Sequence, residues 1–264
     1  MQNLITKYDS LVEEYRQNII NKFDIEDFRL YNEVLFASHN CGIEGNSFSV
    51  DDTRALKEQG LGMIPHGKSL FEAFEILDHF KAYEYLFSQI DEPLSEKLLK
   101  ATHRILTEHT LSYRLPNAVP GEYTDTDMAA GDTVFGDHRE LISQVPKLLE
   151  STQRMLENDI HPMTLAAKFH CFFEFLHPFR DGNGRIGRLF ANFILAKKNQ
   201  PIVIIERERK EEYITALKFY KKESSTELIE TFFLETAIRR MENEIAEKKN
   251  LTRNFVEGFL NNKH

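Results

Sequence analysis

The chain has 264 residues, enough for one large domain or one domain with an added helical arm. Its formal charge is −9 and no run of Lys and Arg is long enough to make a basic face, which argues against a nucleic-acid backbone as a main partner. Cys41 and Cys171 stand alone with no CxxC, so neither a zinc site nor a disulfide framework is indicated; no stretch approaches the roughly 20 apolar residues of a membrane span, and MQNLITKYDSLVEEYRQNII lacks a signal-peptide core, so the expectation is a cytoplasmic protein without a membrane partner.

Taken in chain order, most of the sequence reads as helix. Residues 10–23 are amphipathic, and 27–41 carry Phe28, Tyr31, Leu35 and Phe36 at three-to-four spacing. CGIEGN then breaks the pattern. Ser49 with Asp52 reads as a capping box, and Gly60 as the stop of that helix. LFEAFEILDHFKAYEYLFSQI predicts a strong helix over 70–90, and Ser95 caps another running to about 109.

Residues 112–138 differ, with two Pro and three Gly. They predict a hairpin with arms at 123–128 and 133–135 and a turn at Ala130-Gly131-Asp132. Helices resume at 139–158, 162–176, 183–198, 208–222 and 226–249, the last reading as a solvated helix packed by one side. The expected fold class is all-α, a helical bundle carrying a small β-hairpin. The expected organisation is N-terminal helices over 1–69, a core over 70–222 and a helical extension over 223–264.

The chemistry concentrates in HPFRDGNGRIGR, residues 177–188, directly after the apolar run AAKFHCFFEFL. Pro178 ends the first helix, and a second begins near Asn183 and runs apolar again, so the polar cluster falls in a tight loop between two core helices. The loop opens into a helix N-terminus, whose free N–H groups and dipole favour an anion. Gly182 and Gly184 let an anion approach the backbone, and Arg185 and Arg188, three apart, offer two guanidinium forks on one helix face. A polyphosphate suits this arrangement. Asp181 is then placed to hold Mg2+ beside it, and His177 to take a proton from a hydroxyl that attacks phosphorus. Phe179 reads as an anchor turned into the core. Each feature alone has a bland reading as a turn or a surface arginine, but arginines at a helix N-terminus oppose its dipole unless an anion is bound. No Gly-Lys-(Ser/Thr) follows, so this is not a P-loop, and His170, Glu174 and His177 lack further ligands for a metal set.

HPFRDGNGRIGR fills every fixed position of HxFx(D/E)GNGRxxR, and the chain thereby resembles the Fic family over roughly residues 70–222. The resemblance implies transfer of AMP from ATP, with Mg2+, onto a Ser, Thr or Tyr hydroxyl of a protein target, releasing pyrophosphate. It implies His177 as general base, Asp181 as Mg2+ ligand, Gly182, Asn183 and Gly184 as anion hole, and Arg185 and Arg188 as holders of the β- and γ-phosphates. The hairpin resembles the family's flap, which would align the target by strand addition and bring Met128, Ala129, Ala130 and Gly131 near the nucleotide. Tyr213 resembles a tyrosine on the adenine side. Thr124 stands where many members carry Arg, which leaves the flap–target contacts open. Gly184 is intact, whereas a phosphate-transferring subgroup has Lys there.

IEGN at 43–46 is similar to an inhibitory helix motif of the family, (S/T)xxxE(G/N), with Asn40 in the first position. The resemblance implies that Glu44 pairs with Arg188 and occupies the γ-phosphate site; CGIEGN also reads as a plain helix stop. The expectation is a self-inhibited protein adenylyltransferase. Removal of AMP by hydrolysis, use of another nucleotide, and a non-catalytic nucleotide-binding regulator are the competing readings. A homodimer through apolar positions of 226–260 is a further expectation.

Overall fold

The computed structural model describes residues 1–130 and 133–261. Eleven helices appear among them: α1 (Gln2–Asn18), α2 (Ile25–Ile43), α3 (Val50–Gln59), α4 (Leu70–Ser88), α5 (Glu96–Leu106), α6 (Leu111–Arg114), α7 (Leu141–Leu156), α8 (Pro162–Leu176), α9 (Asn183–Lys197), α10 (Lys210–Glu223) and α11 (Glu227–Asn261). The two strands, β1 (Ala129–Ala130) and β2 (Thr133–Val134), form an antiparallel pair with Ala129 opposite Val134 and Ala130 opposite Thr133. The fold is the all-α bundle with a small hairpin that the periodicity predicts.

Local signals set the helix ends. Ser49 and Asp52 close a capping box on α3, Ser69 and Glu72 a second on α4, and Ser95 caps α5. Gly60 stops α3 at φ 64°, a left-handed value that glycine adopts without a Cβ clash. The buried pair α8–α9 is the centre of the bundle. Phe169, Phe173, Phe179, Phe190 and Phe193 are all fully buried around it, which is where the phenylalanine-rich composition goes. A smaller apolar cluster, with Ala37, Cys41, Phe48, Leu56 and Ile76, joins α2, α3 and α4. Helix α1 packs along α11 through Tyr8, Val12 and Tyr15, and the Tyr15 hydroxyl donates to Glu244. Among the described residues no helix is long and apolar enough to cross a membrane.

Three expectations need correction. The hairpin is shorter than predicted, because residues 123–128 form no strand. Their backbone is committed elsewhere: Thr124 N–H donates to the Pro178 carbonyl (2.8 Å) and Thr126 N–H to the Thr124 hydroxyl (3.2 Å). The stretch expected to be irregular from residue 112 opens instead with the short helix α6 (Leu111–Arg114). Helix α11 runs on past 249, through a segment free of proline. Gly131 and Asp132, the expected turn, lie outside the described residues.

Candidate active site

Helix α8 stops at Leu176 because the residue before a proline is pushed out of the helical region. His177 takes a left-handed conformation (φ 49°, ψ 58°), which costs a non-glycine residue about 1 kcal/mol. Its imidazole thereby leaves the helix axis at the wall of a cavity of about 410 Å³. Gly184, Arg188, Glu44, Phe135, Glu174 and Tyr213 share that wall.

The loop between α8 and α9 is locked from beneath. Phe179 is fully buried, and the Asn183 side chain closes the turn, accepting from Phe179 N–H (2.9 Å) and donating to its carbonyl (2.7 Å). His103 stacks flat on Phe179, with ring centroids 3.7 Å apart at 7°. Its Nδ1 accepts from Gly121 N–H (2.9 Å), so Nε2 carries the proton and donates to the Asp181 carbonyl (2.9 Å). Burial pushes this imidazole down to about 4, which keeps it neutral in that role. Gly182 then turns the chain at φ 79°, and α9 begins without any side-chain cap on its N–H groups.

Both motif arginines are buried, Arg185 to 1% and Arg188 to 3% exposure, and they face different carboxylates. Arg185 lies in a box of two arginines and two acids. It approaches Glu75 (3.4 Å) and Asp181 (3.6 Å), and Arg114 bridges the same two acids at 3.1 and 3.3 Å. The Arg185 Nε has no partner. Arg188 donates to Glu44 (2.6 Å), to the Asn40 side chain (2.5 Å) and carbonyl (3.0 Å), and to the Tyr213 hydroxyl (3.1 Å). Asn40 thus binds Arg188 directly, through both its side chain and its carbonyl.

Electrostatics separate the titratable groups. Burial pushes His177 down to about 4, although the Glu174 carbonyl and the Glu44 and Asp181 carboxylates pull the other way. Its imidazole is neutral near pH 7 and free to accept a proton. Burial alone would raise Glu44, but Arg188 outweighs it and holds the carboxyl below its usual range. Glu174 goes the opposite way, pushed up to about 8 by burial against the pull of Arg188.

The sequence-predicted residues are thus brought to one place, with different exposures to it. His177, Gly184, Arg188, Glu44 and Tyr213 line the cavity; Asp181 and Arg185 lie behind it, in the Glu75–Arg114 box. The Tyr213 hydroxyl bonds Arg188 and His170 Nε2 (2.7 Å). Of the flap residues, Met128 accepts Phe135 N–H (3.0 Å), Ala129 and Ala130 form β1, and Gly131 is outside the described residues. His170, Glu174 and His177 form no metal-sized cluster among the described residues; the groups tight enough are Asp78–Glu108–His109 and Asp127–Asp137–His138. Sequence reasoning missed Glu75, His103, Arg114 and Phe135. Glu174, a carboxylate within the apolar face of α8, was named there only as part of a discounted metal set.

A helical bundle whose two central helices are joined by a loop with a left-handed histidine, an uncapped helix N-terminus and two buried arginines defines the class of fold. Residues 93–195 match the family model described as Fic/DOC family, and the chain belongs to the Fic family. A protein adenylyltransferase Fic from Drosophila grimshawi is 32% identical over 185 residues, covering 68% of this chain and 36% of that protein. The chain therefore spans about a third of the length of the curated relatives it matches. Two solved structures share the fold. A Fic domain containing signaling protein from Bacteroides thetaiotaomicron matches at TM-score 0.77 and 21% identity, covering 94% of this chain and 96% of that one. Fic-1 from C. elegans matches at TM-score 0.76 and 23% identity, covering 94% and 73%.

Proposed function

We propose that this protein is a self-inhibited protein adenylyltransferase, which moves AMP from ATP onto a Ser, Thr or Tyr hydroxyl of a protein target. The observation that carries the reading is the meeting of a neutral His177, Gly184 and Arg188 on one cavity wall with Glu44 seated on Arg188. The relatives named protein adenylyltransferase Fic support it. Residues 70–222 would be the catalytic unit, a span that contains the matched 93–195.

In the proposed reaction the target hydroxyl oxygen bonds to the α-phosphorus and its proton passes to His177. The bond from the α-phosphorus to its bridging oxygen breaks, and the electron pair leaves with pyrophosphate. The neutral imidazole makes His177 competent for the first proton transfer. A Cβ at Gly184 would collide with the Glu44 carboxylate and lie 2.9 Å from Arg188, so the glycine keeps open the space a phosphate needs. The unpartnered Arg185 Nε and the uncapped start of α9 are further donors fitting a bound anion. Asp181 would hold one Mg2+ delivered with ATP by exchanging its contacts to Arg114 (3.3 Å) and Arg185 (3.6 Å) for the metal, which when bound would neutralise phosphate charge.

ATP labelled at the α-phosphate tests the reading. Label on the protein in Glu44→Gly, absent from Glu44→Gly/His177→Ala, is the expected result. ATP binding with no label in any form would sink it in favour of a nucleotide-binding regulator.

One observation favours a second reading, AMP removal. The Glu44 carboxylate is ionised and 38% exposed at the cavity, where it can orient a water. Release of AMP from a modified target by the wild type but not by Glu44→Gly would establish it. A cytoplasmic homodimer paired through 226–260 belongs to the same proposal, and sedimentation of the full chain decides the pairing.

A further inference from the structure

Phe135 lies flat against the His177 imidazole, with ring centroids 3.7 Å apart and planes 11° from parallel. It is fixed from two sides. It follows β2 directly and its N–H donates to the Met128 carbonyl across the hairpin (3.0 Å); the next residue, Gly136, donates to the Phe175 carbonyl at the end of α8 (3.0 Å). The strand end lies in van der Waals range of α8, a Cβ on Gly136 falling 3.4 Å from Leu176 Cα. Helix α10 braces the same strand, with Lys221 Nζ donating to the Val134 carbonyl (2.8 Å).

His177 needs such a wall. The outer torsion of a histidine is soft, so a ring without partners turns freely. The Glu174 carbonyl lies near the ring but makes no well-formed hydrogen bond with Nδ1, and Glu174 Oε2 stands 3.8 Å from it, beyond hydrogen-bond reach. The charged groups around the ring are Glu174 from α8, Glu44 from the end of α2 and Asp181 from the loop, with Arg188, Lys210, Lys218 and Lys221 across the cavity. None of them supplies a plane; the Phe135 ring does.

We propose that Phe135 is a positioning residue, whose ring fixes the imidazole plane so that an edge nitrogen meets the attacking hydroxyl and whose bulk keeps water off the ring face. This rests on His177 acting as the base.

The test uses the full chain in the Glu44→Gly background, with Phe135→Ala, Phe135→Leu and Phe135→Tyr. The kcat for AMP transfer falls about 10- to 100-fold in Phe135→Ala, less in Phe135→Leu, and is kept in Phe135→Tyr. The KM for ATP moves by less than about threefold. An NMR titration of His177 gives a second readout that needs no catalysis: its midpoint rises from about 4 toward the ordinary value near 6.5 in Phe135→Ala and stays low in Phe135→Tyr. A merely structural role would lower the melting temperature without moving that midpoint. An unchanged kcat or an unmoved midpoint in Phe135→Ala overturns the proposal. Absence of transfer in the Glu44→Gly parent overturns the adenylyltransferase reading instead, and the titration still decides the role of Phe135.

Discussion

Glu44 and Arg188 stand 144 residues apart in sequence and meet at 2.6 Å inside the cavity that His177 opens onto. A hydrogen bond to a charged partner contributes about 1.5–3 kcal/mol. Glu44→Gly is therefore expected to raise AMP transfer roughly 10- to 150-fold at fixed ATP. Glu44→Gln, which keeps the shape but not the charge, should fall between. Steady-state rates of all three proteins check this, and equal rates would remove Glu44 as the brake.

The turn that presents Glu44 is held by Arg207. Its guanidinium donates to the carbonyls of Ser38 (3.0 Å), Asn46 (3.3 Å) and Phe48, and to the Ser38 hydroxyl (3.0 Å). It lies against Gly42, where an added Cβ would come within 2.6 Å of it. Arg207→Ala should loosen this turn and raise transfer about tenfold. Adding Glu44→Gly should then bring it only to the Glu44→Gly rate, because both changes act on one contact. Fully multiplicative effects in the double mutant would show that Arg207 acts elsewhere.

Gly184→Ala separates release of the proposed brake from loss of the site. The new methyl displaces Glu44, yet it also fills the space beside Arg188. The expected outcome is no activation and at least about tenfold weaker ATP binding, in wild type and in Glu44→Gly alike. Calorimetric titration with ATP measures it, and normal ATP binding by the Gly184→Ala protein would contradict the crowding argument.

Stability should fall in mild acid. Burial holds His79 and His170 down to about 3 and His103 and His177 down to about 4. An unfolded imidazole takes its proton near 6.5, so stability fully present above that pH is lost as pH falls from about 6.5 through 4. Each histidine contributes a slope of at most about 1.4 kcal/mol per pH unit. Melting temperatures from pH 7.5 to 4.5 should begin to drop just below 6.5, and a flat profile down to pH 5 would refute this. Glu174 has the opposite sign. Its carboxyl is raised to about 8, so its contribution is present below about 4.5 and lost as pH rises through 8. Glu174→Gln should accordingly melt higher than wild type at pH 8.

Much of this was legible in the chain because its signals are local. Ser49 with Asp52, Ser95 and Gly60 mark helix ends within four residues of sequence, and HPFRDGNGRIGR carries its loop, glycines and arginines in one run. The support behind the loop was not legible. His103, Glu75 and Arg114 sit singly on ordinary helices, and their meaning arises only when α4, α5 and α6 are brought beneath residues 179–185. The hairpin was overdrawn for a related reason. Thr124 reads as strand, but its N–H is taken by the Pro178 carbonyl, a partner that no local window contains.

The order of the pair along the chain has a consequence for synthesis. Ribosomes release a protein from its N-terminus, so Glu44 and the helix that carries it emerge well before Arg188. When α9 folds onto α8 and brings Arg188 to the cavity, the acid that pairs with it has already been made. On the proposed reading, a newborn chain would then pass through no stage with an open, unguarded site, and the opposite order along the chain would create one.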